Sequence, residues 1–195
     1  KIGIHTFLSG AILSAGDFSG ADLGEKIASA ITSLPSTGGV VDCRGLHGAQ
    51  TISATIAVGS KKVLVLFGVG TISTSANPMF SVTASTGTVR VMGMGRSLTT
   101  VNYTAASGTA LAFTVLEYPA LMHLTLAATS AGNTAKGFVV DRSTYVLCED
   151  VRVSAFSTNI HVTGSDTVAS GIVQLSNINS REFTTVGIQI DHAVD

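Results

Sequence analysis

From Val40 to Asp191 the chain is written as short apolar runs, and this constrains the fold more than any other feature. The runs are "VVDC", "KVLVLFG", "TVRVMGM", "ALAFTV", "LMHLTL", "GFVVD", "CEDVRV", "NIHVTG", "GIVQL" and "GIQID". Each is bounded by Gly, Ser, Thr or Asn, and no helical period interrupts the series, so the segment reads as a chain of strands. The composition agrees. Charged residues make up only 12%, against about 25% in a usual soluble domain, and Ser, Thr and 21 Gly take their place.

Internal repetition selects the architecture. In "LMHLTLAATSAGNTAKGFVVDR", "LCEDVRVSAFSTNIHVTG" and "IVQLSNINSREFTTVGIQIDH" an alternating strand leads through a polar turn into a second strand. The first strands align at Leu124 and Leu126, Val151 and Val153, and Ser176 and Ile178, with offsets of 27 and then 25. The second strands align at Phe138, Ile160 and Ile188, with offsets of 22 and 28. A loose period with its variation in the turns suits a parallel solenoid. The competitor is an antiparallel sandwich, which favours Asn-Gly or Asp-Gly hairpins, and neither dipeptide occurs. The expected fold is all-β: a single-stranded right-handed parallel β-helix with an N-terminal amphipathic capping helix.

That helix is expected over about residues 20 to 33, where Leu23, Ile27, Ala30, Ile31 and Leu34 form one apolar stripe. Ser19 is the expected N-cap with Asp22 as its capping-box partner, and Pro35 with Gly38 and Gly39 stops the helix. A β-helix ends in an open sheet edge and an apolar bore, and an amphipathic helix covers both. The expected organisation is therefore an N-terminal extension (1–19), a capping helix leading into the first coil (20–48), and β-helix coils (49–195). The first residue is expected to be a processed or truncated start. The strand "VGIQIDHAVD" stands so close to the end that further coils are expected past Asp195.

Formal net charge is -1 and the eleven Lys and Arg residues form no run, which argues against nucleic-acid binding. No stretch reaches the roughly 20 apolar residues of a spanning helix, so no membrane partner is expected. Cys43 and Cys148 stand in apolar strands and read as buried thiols; a disulfide requires the fold to bring them together. His47 and His161 have no carboxylate or histidine at metal-ligand spacing, so no metal is expected. "GVGTIS" and "GMGRS" are followed by no helix; they read as tight coil corners, not phosphate cradles, and no cofactor is expected.

The segment "GADLGEKIASAITSLPSTGGVVDCRGLHGAQTISATIAVG" resembles the N-terminal cap and first coil of the pectate-lyase-like superfamily of right-handed parallel β-helices. That superfamily includes polysaccharide lyases, polygalacturonases, epimerases and bacteriophage tailspikes. The resemblance covers about residues 17 to 70 and continues only as coil pattern. It departs from many members at "SGADLGEKI", where they carry a Gly-Asp-Gly-rich turn. It implies a polysaccharide-binding or polysaccharide-degrading protein, of lyase or glycoside-hydrolase type if catalytic, located outside the cell or on a virion. From the tailspikes it implies a homotrimer. The catalytic signatures of the family are absent: no arginine begins an Arg-x-Pro-x-x-Arg segment, and Asn-Thr-Asp, Asp-Asp and Gly-His-Gly do not occur. The alternative is a non-catalytic structural or adhesive module of a fibre, phage tail or surface appendage.

Two constellations are candidate catalytic residues. Asp141-Arg142 and Asp191-His192 close equivalent second strands, with Thr163 at that position in the coil between. Two coils separate them, roughly 9.6 Å between backbones, near the ~6.5–9.5 Å carboxyl separation of inverting glycosidases. The competing reading is that polar residues end strands because turns begin there. In "CEDVRV", Asp150 and Arg152 should share an outer face and form an ion pair beside Glu149, with His123 and Thr125 on the same face one coil earlier. Asn102, Asn159, Asn177 and Asn179 are expected at turns or in an asparagine stack. With no Trp and 3 Tyr, a strong sugar-stacking platform is not expected.

Overall fold

The computed structural model describes residues 10–82, 87–164 and 172–191. They form a parallel β-solenoid of about 6 turns with three strand faces. Face one stacks Ala11–Ser14, Gly38–Cys43, Lys62–Phe67 and Thr88–Met92, then the first parts of Ala120–Ala128 and Val146–Ser154, and Val173–Ser176. Face two stacks Gly48–Ile52, Gly70–Thr74, Thr99–Tyr103, the second parts of the same two long strands, and Asn179–Arg181. Face three begins with the short pair Ile56–Ala57 and Phe80–Ser81 and continues through Thr109–Thr114, Lys136–Asp141, Thr158–Thr163 and Val186–Asp191. All ten apolar runs are strands. The strands that the apolar pattern passed over lie mostly on face two, where "GAQTI", "GTIST" and "NSR" carry few core positions. Gly68 and Val69 turn the corner expected of "GVGTIS", whose remaining residues enter the strand Gly70–Thr74, and "GMGRS" lies in the corner between Met92 and Thr99.

Register stacks like on like along the axis. Val41, Val65, Val91, Leu121 and Cys148 stand opposite one another in successive coils, and each is 0% exposed. Burying such a side chain stabilises by about 1.5–3 kcal/mol. Phe113 and Phe138 meet edge to face at 5.0 Å in the same core. Face one differs from a half-buried sheet in being largely apolar outside as well. One outer column runs Ile12, Val40, Leu64, Arg90, Ala120 and Leu147, and the next runs Leu66, Met92 and Met122 between Asp42 and Glu149. Val40 and Ala120 are 4% and 2% exposed although neither belongs to the core cluster. Runs such as "VLVLF" accordingly read as continuously apolar and not alternating.

The corner between faces one and two is turned by His123, Asp150 and Asn177, with φ of 54°, 52° and 51°. This left-handed region is costly for most residues and tolerated best by Asn, Asp and His. The three recur at one constant spacing of 27. The corner corrects one alignment: Val153 pairs with Ser180 and Arg152 with Asn179, so the last first-strand offset equals the one before it. The second-strand alignment holds, since Phe138 pairs with Ile160 and Ile160 with Ile188.

Helix α1 spans Leu23–Ser33 and starts later than expected. Its N-cap is Asp22, not Ser19: Asp22 Oδ1 accepts from Glu25 N at 2.8 Å, while Glu25 Oε2 accepts from Ala21 N at 2.7 Å. The box is therefore Asp22 and Glu25, whose longer side chain reaches back where Asp cannot. Asp22 Oδ2 also accepts from Ser53 N at 2.9 Å, which ties the helix start to the first coil. Leu23, Ile27, Ala30 and Ile31 are buried, and Gly24 lies so close that a Cβ there would stand 3.1 Å from Ile52 Cγ2. Leu34, preceding Pro35, turns extended and ends the helix. Lys61 Nζ then donates to the carbonyls of Ile31, Thr32 and Leu34 at 2.6, 3.0 and 2.8 Å, a cation placed on the negative end of the helix dipole. Of the N-terminal extension, Ala11–Ser14 joins face one.

Cys43 and Cys148 are both free and buried. They lie four coils apart on face one, roughly 19 Å at the coil spacing, beyond the ~7 Å that a disulfide spans. Burial pushes both thiols up to about 12, so neither should react with a thiol reagent at neutral pH until the chain is unfolded; stoichiometric labelling with and without denaturant checks this. Asp22→Ala and Lys61→Met should each lower stability by about 1–2 kcal/mol, read as a shift in urea midpoint. Burial raises the Asp22 carboxyl, but hydrogen bonds from Ser53, Glu25 and Gly24 outweigh it and hold its pKa below the ordinary value. Its contribution is thus complete above the unfolded aspartate value of about 3.9 and lost as pH falls through the folded value. The wild-type advantage over Asp22→Ala should shrink over that acid range.

Candidate functional site

Outward residues of face three come into register along the axis. Asp141 stands opposite Thr163, and Thr163 opposite Asp191, which places the two carboxylates two coils apart in one column. The neighbouring column runs Val139, His161 and Gln189. Because strand side chains alternate, these two columns share the outer surface while Phe138, Val140, Ile160 and Val162 point inward and are buried.

Hydrogen bonds link the columns. His161 Nε2 lies 2.9 Å from Asp191 Oδ2, and Gln189 Nε2 donates to the same oxygen at 2.7 Å. The other ring nitrogen, His161 Nδ1, is 3.1 Å from Lys136 Nζ. An ammonium can only donate, so Nδ1 is the acceptor and Nε2 carries the proton toward Asp191. Lys136, His161 and Asp191 thus form one polar chain across three coils, with the imidazole only 12% exposed. Sequence spacing gave His161 no carboxylate neighbour; coil stacking supplies one from the next turn of the solenoid. Asp141 is engaged differently, by its neighbour Arg142, whose Nη2 lies 2.9 Å from Oδ2 and whose Nε reaches both oxygens at 3.2 and 3.1 Å. Arg142 turns the end of face three with φ of 47°. His192 lies outside the described residues.

The second expected constellation is rearranged. Asp150 does not pair with Arg152. At φ of 52° it occupies the corner between faces one and two, where the strand alternation that would align it with Arg152 is interrupted. There Arg96 Nε meets Asp150 Oδ1 at 2.8 Å, Asn177 Nδ2 donates to Oδ1 at 2.8 Å, and His123 Nδ1 lies 3.3 Å from Oδ2. His123 and Asn177 belong to the adjacent coils, so the corner is a polar ladder along the axis. Arg152 stands on face two between Thr125 and Asn179. Its Nε is shut off from solvent and has no hydrogen-bond partner among the described residues.

Of the four asparagines expected at turns or in a stack, Asn177 is a corner residue, whereas Asn102, Asn159 and Asn179 lie in strands. Asn159 is 0% exposed and donates to Ser180 Oγ and the Arg181 carbonyl, both at 2.9 Å. Among the described residues no group of three His, Cys, Asp or Glu could hold a metal ion, and no helix is long and apolar enough to cross a membrane. Two of the three tyrosines, Tyr118 and Tyr145, stack at 4.8 Å on successive coils where the chain returns to face one.

Comparison with known proteins yields no relative: no family model matches the chain, and no curated protein or solved structure matches it.

Asp150→Ala should lower stability by roughly 1–3 kcal/mol, since Arg96 loses its carboxylate and alanine tolerates the left-handed corner poorly. Asp150→Asn, which tolerates the corner and keeps an acceptor, should lose less; denaturant midpoints of the two variants check the order.

Proposed function

We propose that this chain is part of a right-handed parallel β-helix of the pectate-lyase-like kind that binds polysaccharide outside the cell or on a virion, and degrades it if catalytic. The observation that carries the reading is the outer surface of face three. There Asp141 and Asp191 share a column two coils apart, and the chain of Lys136, His161 and Asp191 links the intervening coils. Donors and acceptors spaced at the coil repeat on an extended face match hydroxyls spaced along a polymer, and the backbone separation of roughly 9.6 Å admits a sugar ring between carboxylates. Hydrolysis by inversion there would use one carboxylic acid to protonate the glycosidic oxygen and one carboxylate to draw a proton from water. Asp141, held by Arg142 as an acceptor, supports holding a glycan more directly than proton donation. The resemblance over residues 17 to 70 supports the class and the handedness. Fold likeness alone does not assign chemistry, so the face-three residues bear the claim.

A second reading, a non-catalytic rod of a fibre, tail or appendage, is favoured by the apolar outside of face one. In that reading Leu64, Leu66, Met92, Met122 and Leu147 pack against other copies of the chain, with the homotrimer as the assembly.

The test is a screen against uronate-containing and bacterial surface polysaccharides. It follows retention in affinity gels, reducing ends and absorbance of unsaturated product. Asp141→Asn and Asp191→Asn should each weaken binding or activity at least about tenfold, or ~1.4 kcal/mol. Unchanged values in both variants would remove face three as the site, and absence of any glycan binding would leave the rod.

A further inference from the structure

We infer that Arg152 is an anion-binding residue on the outside of face two, where the carboxylate or sulfate of an acidic polysaccharide is held; this rests on the polysaccharide reading above. Five of the six arginines are committed within the protein. Arg44 pairs with Asp42, Arg96 with Asp150 and Arg142 with Asp141. Arg90 donates to the Tyr118 carbonyl and Arg181 to Asn179 Oδ1. Arg152 has no hydrogen-bond or ion-pair partner among the described residues, and its Nε is already stripped of water.

The surroundings explain why the protein supplies no acceptor. Thr125, one coil before, turns its hydroxyl to the Arg96 carbonyl at 2.6 Å. Asn179, one coil after, has its oxygen taken by Arg181 Nε at 3.0 Å. Asp150, two residues upstream, faces the corner and is filled by Arg96, His123 and Asn177. The buried Nε is closed to an external ligand as it is to water, so an anion is met by the outer nitrogens of this half-buried guanidinium, which no acceptor among the described residues engages. Arg181, which stands opposite Ser154, brings a second guanidinium diagonally adjacent to Arg152 on the same surface. A planar fork with a second cation beside it matches a carboxylate or sulfate oxygen pair and offers a neutral sugar little.

The test measures affinity of the chain for polygalacturonate, dextran sulfate and neutral dextran. Wild type should bind at least one acidic polymer and prefer it to dextran, and which of the two it binds separates carboxylate from sulfate recognition. Arg152→Ala should weaken that binding at least about tenfold, Arg152→Lys should recover only part, and Arg44→Ala, remote and exposed, should leave it unchanged. Circular dichroism reports folding. If Arg152→Ala does not fold, Arg152→Lys decides: native dichroism with unchanged affinity overturns the inference. Preference for dextran, or acidic binding untouched by either Arg152 variant, overturns it while the polysaccharide reading stands. Binding to none of the three polymers overturns the inference and counts against that reading as well.

Discussion

The structure depends on the in-register parallel ladder between successive coils. Each strand hydrogen-bonds to its equivalents above and below at a spacing of about 4.8 Å, so every residue meets its counterpart one turn away. Inward, this stacks Val41, Val65, Val91, Leu121 and Cys148 into one aliphatic column. Outward, it brings polar groups that are distant in sequence to hydrogen-bonding distance, as with Asn177 and Asp150 or His161 and Asp191. Core and surface chemistry are two sides of one register.

Such a ladder has two vulnerable places, its ends and its corners, and the chain treats them with different chemistry. At the N-terminal end helix α1 buries Leu23, Ile27, Ala30 and Ile31 on the first coil, and its own exposed peptide groups are met by Asp22 at one end and Lys61 at the other. At the corners the backbone must enter the left-handed region. Between faces one and two it does so at His123, Asp150 and Asn177, types that tolerate the conformation and can also hydrogen-bond to each other. The polar ladder at that corner therefore has a structural cause, and Asp150 is fully engaged in it. Arg152, two residues on, lies on a regular strand face where none of the described residues compensates it.

The three faces are chemically distinct. Face one is apolar inside and largely apolar outside, with Arg90, Asp42 and Glu149 among its outer residues; face two is covered by small polar residues and arginines, and face three carries Asp141 and Asp191 with Lys136 and His161. A solenoid permits this division because each coil contributes one strand to each face, so the character of a face accumulates independently of its neighbours.

The sequence by itself determined the strand series, the helix and the stacking of second strands. Those depend on local periodicity and on apolar residues that recur where the core needs them. The even recurrence of His123, Asp150 and Asn177 was also written there, but apolar matching at Ser176 and Ile178 obscured it; corner residues mark the register better than a weakly apolar last coil. The short strands of face two carry no comparable mark, because "GAQTI" buries only Ile52 and "NSR" fully buries no residue. Side-chain partners belonged to the tertiary structure alone. Whether Asp150 meets Arg152 or Arg96, whether His161 has a carboxylate, and whether Cys43 lies near Cys148 depend on which way a corner turns and how many coils intervene. Those are distances through space that no local pattern encodes.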